Sequence, residues 1–333
     1  MKKSLRLIFF ILGLAGLLLL IKGAGLNDAD WQTLFSPRFF LELGGQLLLW
    51  AGIFALHSGI YLNILGEDAA QVGFANMYKI CLAGVALNNV TPAGLFGGEP
   101  YRILELEHFV SKEKAASSTL TFSLLYTLGH AMLWATGAVV YLCFGCPGEW
   151  GISLVILLSG FFALLFCTYF FLKKKGGIVL PCLRALAKLP LLKKPLLKLL
   201  DKNAQLLADI DAGISAFREE PKRFRLAVLQ EYVSRLAECL EYLMILRYLE
   251  LATGFFGAVL VMSTASLLAN LLFIVPMQAG TREGGTALAV RWLGGDEALG
   301  LMTGLLFRIR EMITTGIGLF FILVEKKRVK KNG

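Results

Sequence analysis

The stretch ALNNVTPAGLFGGEPYRILEL, Ala86 to Leu106, decides how the rest of the chain is read. It follows the mostly apolar run KICLAGVALNN, yet places Asn88, Asn89, Thr91, Pro92, Gly94, Gly97, Gly98, Glu99, Pro100 and Arg102 within fifteen positions. Proline removes a backbone donor and glycine frees the backbone, so a helix entering here has to stop. It stops beside two side-chain amides, a carboxylate and a guanidinium. At membrane depth such a break survives only where protein buries it or water reaches it. The stretch is therefore a site or the wall of one, against the simpler alternative of a polar loop between two helices.

Working outward, the whole composition sets the class. The 333 residues are 56% hydrophobic and 17% charged, with a mean hydropathy of +0.67, well beyond a soluble domain. An all-α polytopic membrane protein is predicted. The net charge of +9 would raise nucleic acid in a soluble chain. Here the basic residues sit at the ends of apolar runs and in one central loop, which the positive-inside rule and anionic headgroups explain, and no nucleic-acid motif is present. Cys81, Cys167, Cys182 and Cys239 sit singly in apolar surroundings as small hydrophobes. Cys143 and Cys146 form a CxxC without the second CxxC or histidine that a metal site needs. His57, His108 and His130 are too dispersed for metal ligation, and no cofactor is implied.

In chain order, residues 1–21 form a first span with a basic, inward amino terminus, and 23–38 an outer loop. Phe39 to Asn63 returns with Gln46, Trp50 and His57 as internal polar marks. The apolar run from Val72 to Leu87 falls short of the roughly 20 residues a crossing needs, so it is predicted as the first arm of a re-entrant hairpin, with Leu95 onward as the return. Ala115 to Phe144 is a long span carrying Thr119, Ser123, Tyr126 and His130 at helical spacing, a polar ladder turned toward a bundle interior. Gly151 to Leu172 comes back to Lys173, Lys174 and Lys175.

The loop from Lys173 to Arg225 holds 13 Lys and Arg against five acids. Leu196, Leu199, Leu200, Leu207, Ile210, Ile214 and Phe217 share one face and Lys198, Lys202, Gln205 and Asp209 another, the pattern of an amphipathic helix on anionic inner-leaflet lipid or against the protein's own spans. Phe224 to Tyr248 carries Glu231, Arg235, Glu238 and Tyr242 at spacings of three and four, a stripe of charges facing a cavity or each other. A second short run, Phe255 to Phe273, ends in NLLFIVPMQAGTREGG. Ala298 to Val324 is the last span, with Arg308, Arg310 and Glu311 near its middle.

The two broken stretches answer each other. Asn88 and Asn270 are 182 residues apart, Pro92 and Pro276 184. The expected architecture is one membrane domain over 1–333, about six full spans plus two re-entrant helical hairpins, as a first repeat 39–144, a basic amphipathic connector 173–222 and a second repeat 223–324 of inverted topology, both termini cytoplasmic. In such repeats broken helices from the two halves meet near the midplane around a substrate.

The motifs NNVTPAGLFGGEPYR and PMQAGTREGG resemble those of the flippase-like transmembrane region of lysylphosphatidylglycerol synthases, the multiple peptide resistance factor proteins, and of their stand-alone relatives. The resemblance runs from about Phe39 onward, with the second motif less compact than the family's Pro-Gly-Gly-Glu. It implies a bacterial cytoplasmic-membrane protein that moves a phospholipid or modified lipid headgroup. Since the chain ends at Gly333, aminoacylation from tRNA is not expected of this polypeptide.

The residue chemistry agrees with such a role. Asn88, Asn89, Thr91, Gly97 and Gly98 can hydrogen-bond a phosphate, Arg102 and Arg282 can pair it, and Glu99 and Glu283 can take a cationic headgroup part. Asn270, Gln278, Arg235, Glu238, Arg308 and Glu311 complete the expected substrate-binding set. Two other classes stay open. One is a non-catalytic membrane component of a lipid-linked glycosyl or aminoacyl transferase system, partnered by a separate headgroup-modifying enzyme. The other is an enzyme using two carboxylates as acid and base, for which no nucleotide motif, metal cluster or nucleophile–base pair is found.

Overall fold

The computed structural model describes residues 36–90, 98–144, 150–172, 179–188, 200, 203–271, 278 and 280–331. The expected first span, Thr91, Gly97, Cys146 and residues 173–178, 189–199 and 201–202 of the basic connector lie outside the described residues. Every regular element described is helical: α1 (Pro37–Leu65), α2 (Phe74–Val90), α3 (Gly98–Leu106), α4 (Lys112–Phe144), α5 (Trp150–Leu172), α6 (Val179–Leu186), α7 (Ala204–Glu219), α8 (Pro221–Tyr248), α9 (Phe255–Leu271), α10 (Thr281–Trp292) and α11 (Glu297–Lys331).

The sequence sets these boundaries locally. α1 opens with Ser36 accepting from the Phe39 amide and Pro37 in the first turn, and stops at Gly66, whose φ of 68° suits glycine. α8 likewise opens on Pro221. Short turns through Gly73 and Gly294, at φ 72° and 86°, precede α2 and α11.

One succession occurs twice: helices of 29, 17, 9 and 33 residues in α1–α4 and of 28, 17, 12 and 35 in α8–α11. Packing follows the same exchange. α1 lies on α8, α2 on α11 and α9 on α4, while α2–α3–α4 and α9–α10–α11 pack in sequence. α1 and α8 run antiparallel over their length. Ser36 Oγ is 3.2 Å from Tyr248 Oη at one end, and at the other the Asn63 amide donates to the Arg223 carbonyl at 2.9 Å. Lys114, at the start of α4, pairs with Asp68 in the turn after α1. The start of α4 thus lies beside the turn that precedes α2. In the second half Leu293, just after α10, stands against Gly257 at the start of α9.

Burial is inverted relative to a soluble protein. Arg235, Glu241, Glu231 and Arg310 are at most 2% exposed, while Phe40, Leu48, Leu142, Phe162, Phe256 and Phe320 stand out on the surface. Water would penalise both arrangements, whereas hydrocarbon around the bundle favours the second and forces the first inward. The chain is an integral membrane protein. Among the described residues, 37–72 and 112–144 are long and apolar enough to cross by length and composition alone, and α5 holds a 17-residue apolar core. The length of α8 and α11 is sufficient as well, but both carry charges inward. α7 lays Ile210 and Ile214 against Ala116, Ile103 and Leu124, so its apolar face packs on α3 and α4, with Gln205 and Asp209 outward and bonded to each other.

Candidate functional site

At the first break, Asn88 reaches across from the end of α2. Its Oδ1 accepts the Gly98 amide at 2.7 Å, capping α3, and its Nδ2 donates to Glu99 Oε1 at 3.3 Å. Arg102, one turn on, donates to the same carboxylate oxygen at 3.3 Å. Two glycines allow this closeness: a Cβ on Gly98 would stand 2.8 Å from Asn88 Oδ1, and one on Gly84 would strike Arg102 Nε. Asn89 points elsewhere, donating to Thr315 of α11 at 3.0 Å.

The second break is built from more elements. Glu283 accepts the Gly280 amide at 2.8 Å, closing the start of α10, and takes Arg308 Nε of α11 at 2.6 Å. Arg308 also holds Glu311 at 2.6 Å and donates to the Gln278 carbonyl at 3.2 Å. Gln278 is a non-glycine at φ 52°, a conformation held by its surroundings and often found at sites. Its side chain accepts from Arg282 at 2.9 Å. Asn270, matched to Asn88 by spacing, instead turns its amide back onto the Ser266 carbonyl of its own helix.

Between the breaks lies the stripe of α8. Arg235 pairs with Glu231 at 3.0 Å and Glu238 at 2.9 Å. It also contacts His57 Nε2 at 3.1 Å and His130 Nδ1 at 3.4 Å and lies 4.3 Å over the Tyr126 ring. An arginine cannot accept a hydrogen bond, so both histidine nitrogens accept from it and both rings are neutral in this arrangement. One turn further, Glu241 holds Arg310 through bonds of 2.6 and 2.8 Å, with Arg310 4.0 Å over the ring of Trp50, which donates to the same carboxylate.

A matched pair of small assemblies flanks the stripe. Tyr61 stacks on Phe122 at 4.2 Å beneath Arg102, and Tyr242 stacks on Phe307 at 5.5 Å beneath Arg282. In both, the arginine Nε is buried without a hydrogen-bond partner and the tyrosine hydroxyl has a threonine beside it, Thr119 or Thr286. A guanidinium with a spare donor, prepared alike in both halves, is what an anion would use.

The structure thus brings Asn88, Gly98, Glu99 and Arg102 together, Gln278, Arg282, Glu283, Arg308 and Glu311 together, and Arg235 with Glu238. Among the described residues, no hydrogen bond or ion pair joins Glu99 or Arg102 directly to Arg282 or Glu283. Arg102 is within Coulombic range of His57, and Arg282 within range of His130, Glu238 and Glu311, so the stripe lies electrically between them. A groove of about 500 Å³ between α4, α5 and α8, lined by Met132, Thr136, Leu164, Cys167 and Tyr232, lies apart from both breaks. Sequence reasoning missed Glu241 and Tyr61, and placed Tyr242 on the stripe without its stacking on Phe307. Glu241 continues the stripe at a spacing of three from Glu238, a signal that was present.

No curated protein matches the chain significantly, and neither does any solved structure. The family model of the lysylphosphatidylglycerol synthase TM region matches residues 5–318. Matched over nearly its whole length, the chain belongs to that family.

Proposed function

We propose that the protein is a flippase-like lipid transporter of the bacterial cytoplasmic membrane, moving a phospholipid or modified headgroup along the buried charged file between two re-entrant hairpins. One observation carries the reading: guanidiniums and carboxylates from both halves form a file from Arg102 through His57, Arg235 and Glu238 to Arg282, Glu283 and Arg308, inside a belt of exposed apolar side chains. An ionised group at the bilayer centre costs at least about 2.5 kcal/mol unless paired or wetted. A fold concerned only with stability would carry apolar residues there at less risk. The paired charges compensate one another when the path is empty and are recruited by a zwitterionic or phosphate-bearing headgroup when it is filled.

In this reading α1–α4 and α8–α11 are inverted-topology repeats whose broken helices serve one site near the midplane. The basic connector lies in the cytoplasm and adds attraction for the anionic leaflet, on the order of 1 kcal/mol per surface basic residue before screening. The test is leaflet exchange of nitrobenzoxadiazole-labelled phosphatidylglycerol, phosphatidylethanolamine and phosphatidylcholine in proteoliposomes. Exchange above that of protein-free vesicles is expected, and its loss in Glu99→Gln and Glu283→Gln with both variants still folded and inserted. Equal exchange with and without protein for all three lipids refutes the transport reading.

A further inference from the structure

Across the network, charges match in groups. Glu99 faces Arg102, Glu241 faces Arg310, and Glu283 and Glu311 face Arg308 with Arg282 in range. Glu231 and Glu238 share Arg235, and Arg282 is in range of Glu238. Of these two, Glu238 accepts a hydrogen bond from Arg235 at 3.0 Å. Glu231 is 1% exposed and rests on a single ion pair, 3.0 Å from the Arg235 guanidinium that Glu238 also holds. An ionised carboxylate so placed has exchanged water for a share of one guanidinium, whereas a protonated one gives up far less. Its seat is shaped for it: a Cβ on Gly129 of α4 would come within 2.8 Å of Glu231 Cγ.

The neighbours leave few other places for a proton. From α1, His57 Nε2 stands 3.8 Å from Glu231, but it already accepts from Arg235 and sits 2.9 Å from Ser234 Oγ. From α4, His130 accepts from Arg235 and the Tyr126 ring lies under it. α3 and α10 bring Arg102 and Arg282, and α11 brings Arg310, all cations. α9 has no titratable side chain. α7 meets α8 near its start, and its Asp211 accepts the Leu180 amide. One guanidinium holds both imidazoles as acceptors, so the unmatched negative charge falls to the two carboxyl groups.

We propose that Glu231 is a proton-carrying carboxyl group and that its loading and release are coupled to lipid movement. Loading forms an O–H bond with a proton from water at one face of the membrane. Release returns that proton to water at the other face, and no electron moves. The proton site stands on the geometry above, while the coupling rests on the lipid-transport reading.

Two measurements separate these parts. Infrared spectra of the full-length protein in detergent, in H2O and D2O, are expected to show a carboxylic-acid C=O band at neutral pH. That band should shift on deuteration, vanish in Glu231→Gln and move in Glu231→Asp. A wild-type spectrum without it, or its retention in Glu231→Gln, overturns the proton site. In proteoliposomes containing nitrobenzoxadiazole-labelled phosphatidylglycerol, an imposed pH gradient is expected to change the wild-type exchange rate, a response lost in Glu231→Gln. Exchange indifferent to the gradient overturns the coupling and leaves transport standing. No exchange at all removes both, and the infrared band still decides the proton site.

Discussion

Two arginine nitrogens, buried without hydrogen-bond partners beside stacked tyrosines at equivalent places in the two halves, are the residue-scale feature that stability does not explain. Each tyrosine hydroxyl has one threonine beside it, so removing it loses at most one neutral hydrogen bond, about 1 kcal/mol. Tyr61→Phe and Tyr242→Phe should therefore lower thermal unfolding only slightly, while slowing lipid exchange in proteoliposomes. Unchanged exchange in both would assign the hydroxyls no part in transport. Glu241 is the opposite case. With Arg310 2% exposed and held by its carboxylate, Glu241→Gln strands a buried cation, and a loss of about 3–5 kcal/mol is expected, read as a lowered unfolding temperature in detergent. What could be read from the sequence at this scale was whatever lies on one helix: Glu231, Arg235 and Glu238 pair at the spacings that suggested it. Pairings across helices, such as Arg310 with Glu241 or Asn89 with Thr315, 69 and 226 residues apart, leave no such signal.

At the scale of elements, the hairpins depend on backbones coming close. A Cβ on Gly285 would meet the Cα of Ala265 at 2.8 Å, backbone against backbone between α10 and α9, with no flexible side chain to give way. Gly44 of α1 faces open space. Gly285→Ala should then cost about 1–3 kcal/mol through overpacking, whereas Gly44→Ala, in a helix interior, should be neutral or gain up to about 1 kcal/mol. Melting both variants in detergent checks the contrast, and equal behaviour would mean that α9 and α10 are not packed as described. The elements themselves were legible, because prolines, glycines and apolar lengths mark their ends: the expected returning span from Phe39 to Asn63 is α1, Pro37–Leu65. Harder to read was what each break does. Asn88 and Asn270 share a spacing, but one caps the next helix and the other bonds its own, a choice of partner that spacing along the chain does not encode.

For the whole molecule, orientation is the property on which the transport reading turns. Arg38, at the start of α1, pairs with Glu250, just past the end of α8, while Asn63 near the end of α1 meets Arg223 at the start of α8. A 29-residue helix is about 43 Å long, so exposed Glu67 after α1 and exposed Glu250 after α8 occupy opposite ends of the bundle though they hold equivalent places in the two halves. The bundle's antiparallel axis is thus set by contacts, and only its direction in the bilayer depends on the Lys and Arg asymmetry. With native cysteines replaced, Glu67→Cys should react with a membrane-impermeant maleimide only after the cytoplasmic face is opened, and Glu250→Cys in intact cells. Labelling with the two sides exchanged would reverse the orientation and keep the inverted repeat. Labelling of both from one side would end it, because two halves of one sense cannot aim opposed hairpins at a common midplane, and the charged file would then lack the two-sided access that moving a headgroup requires.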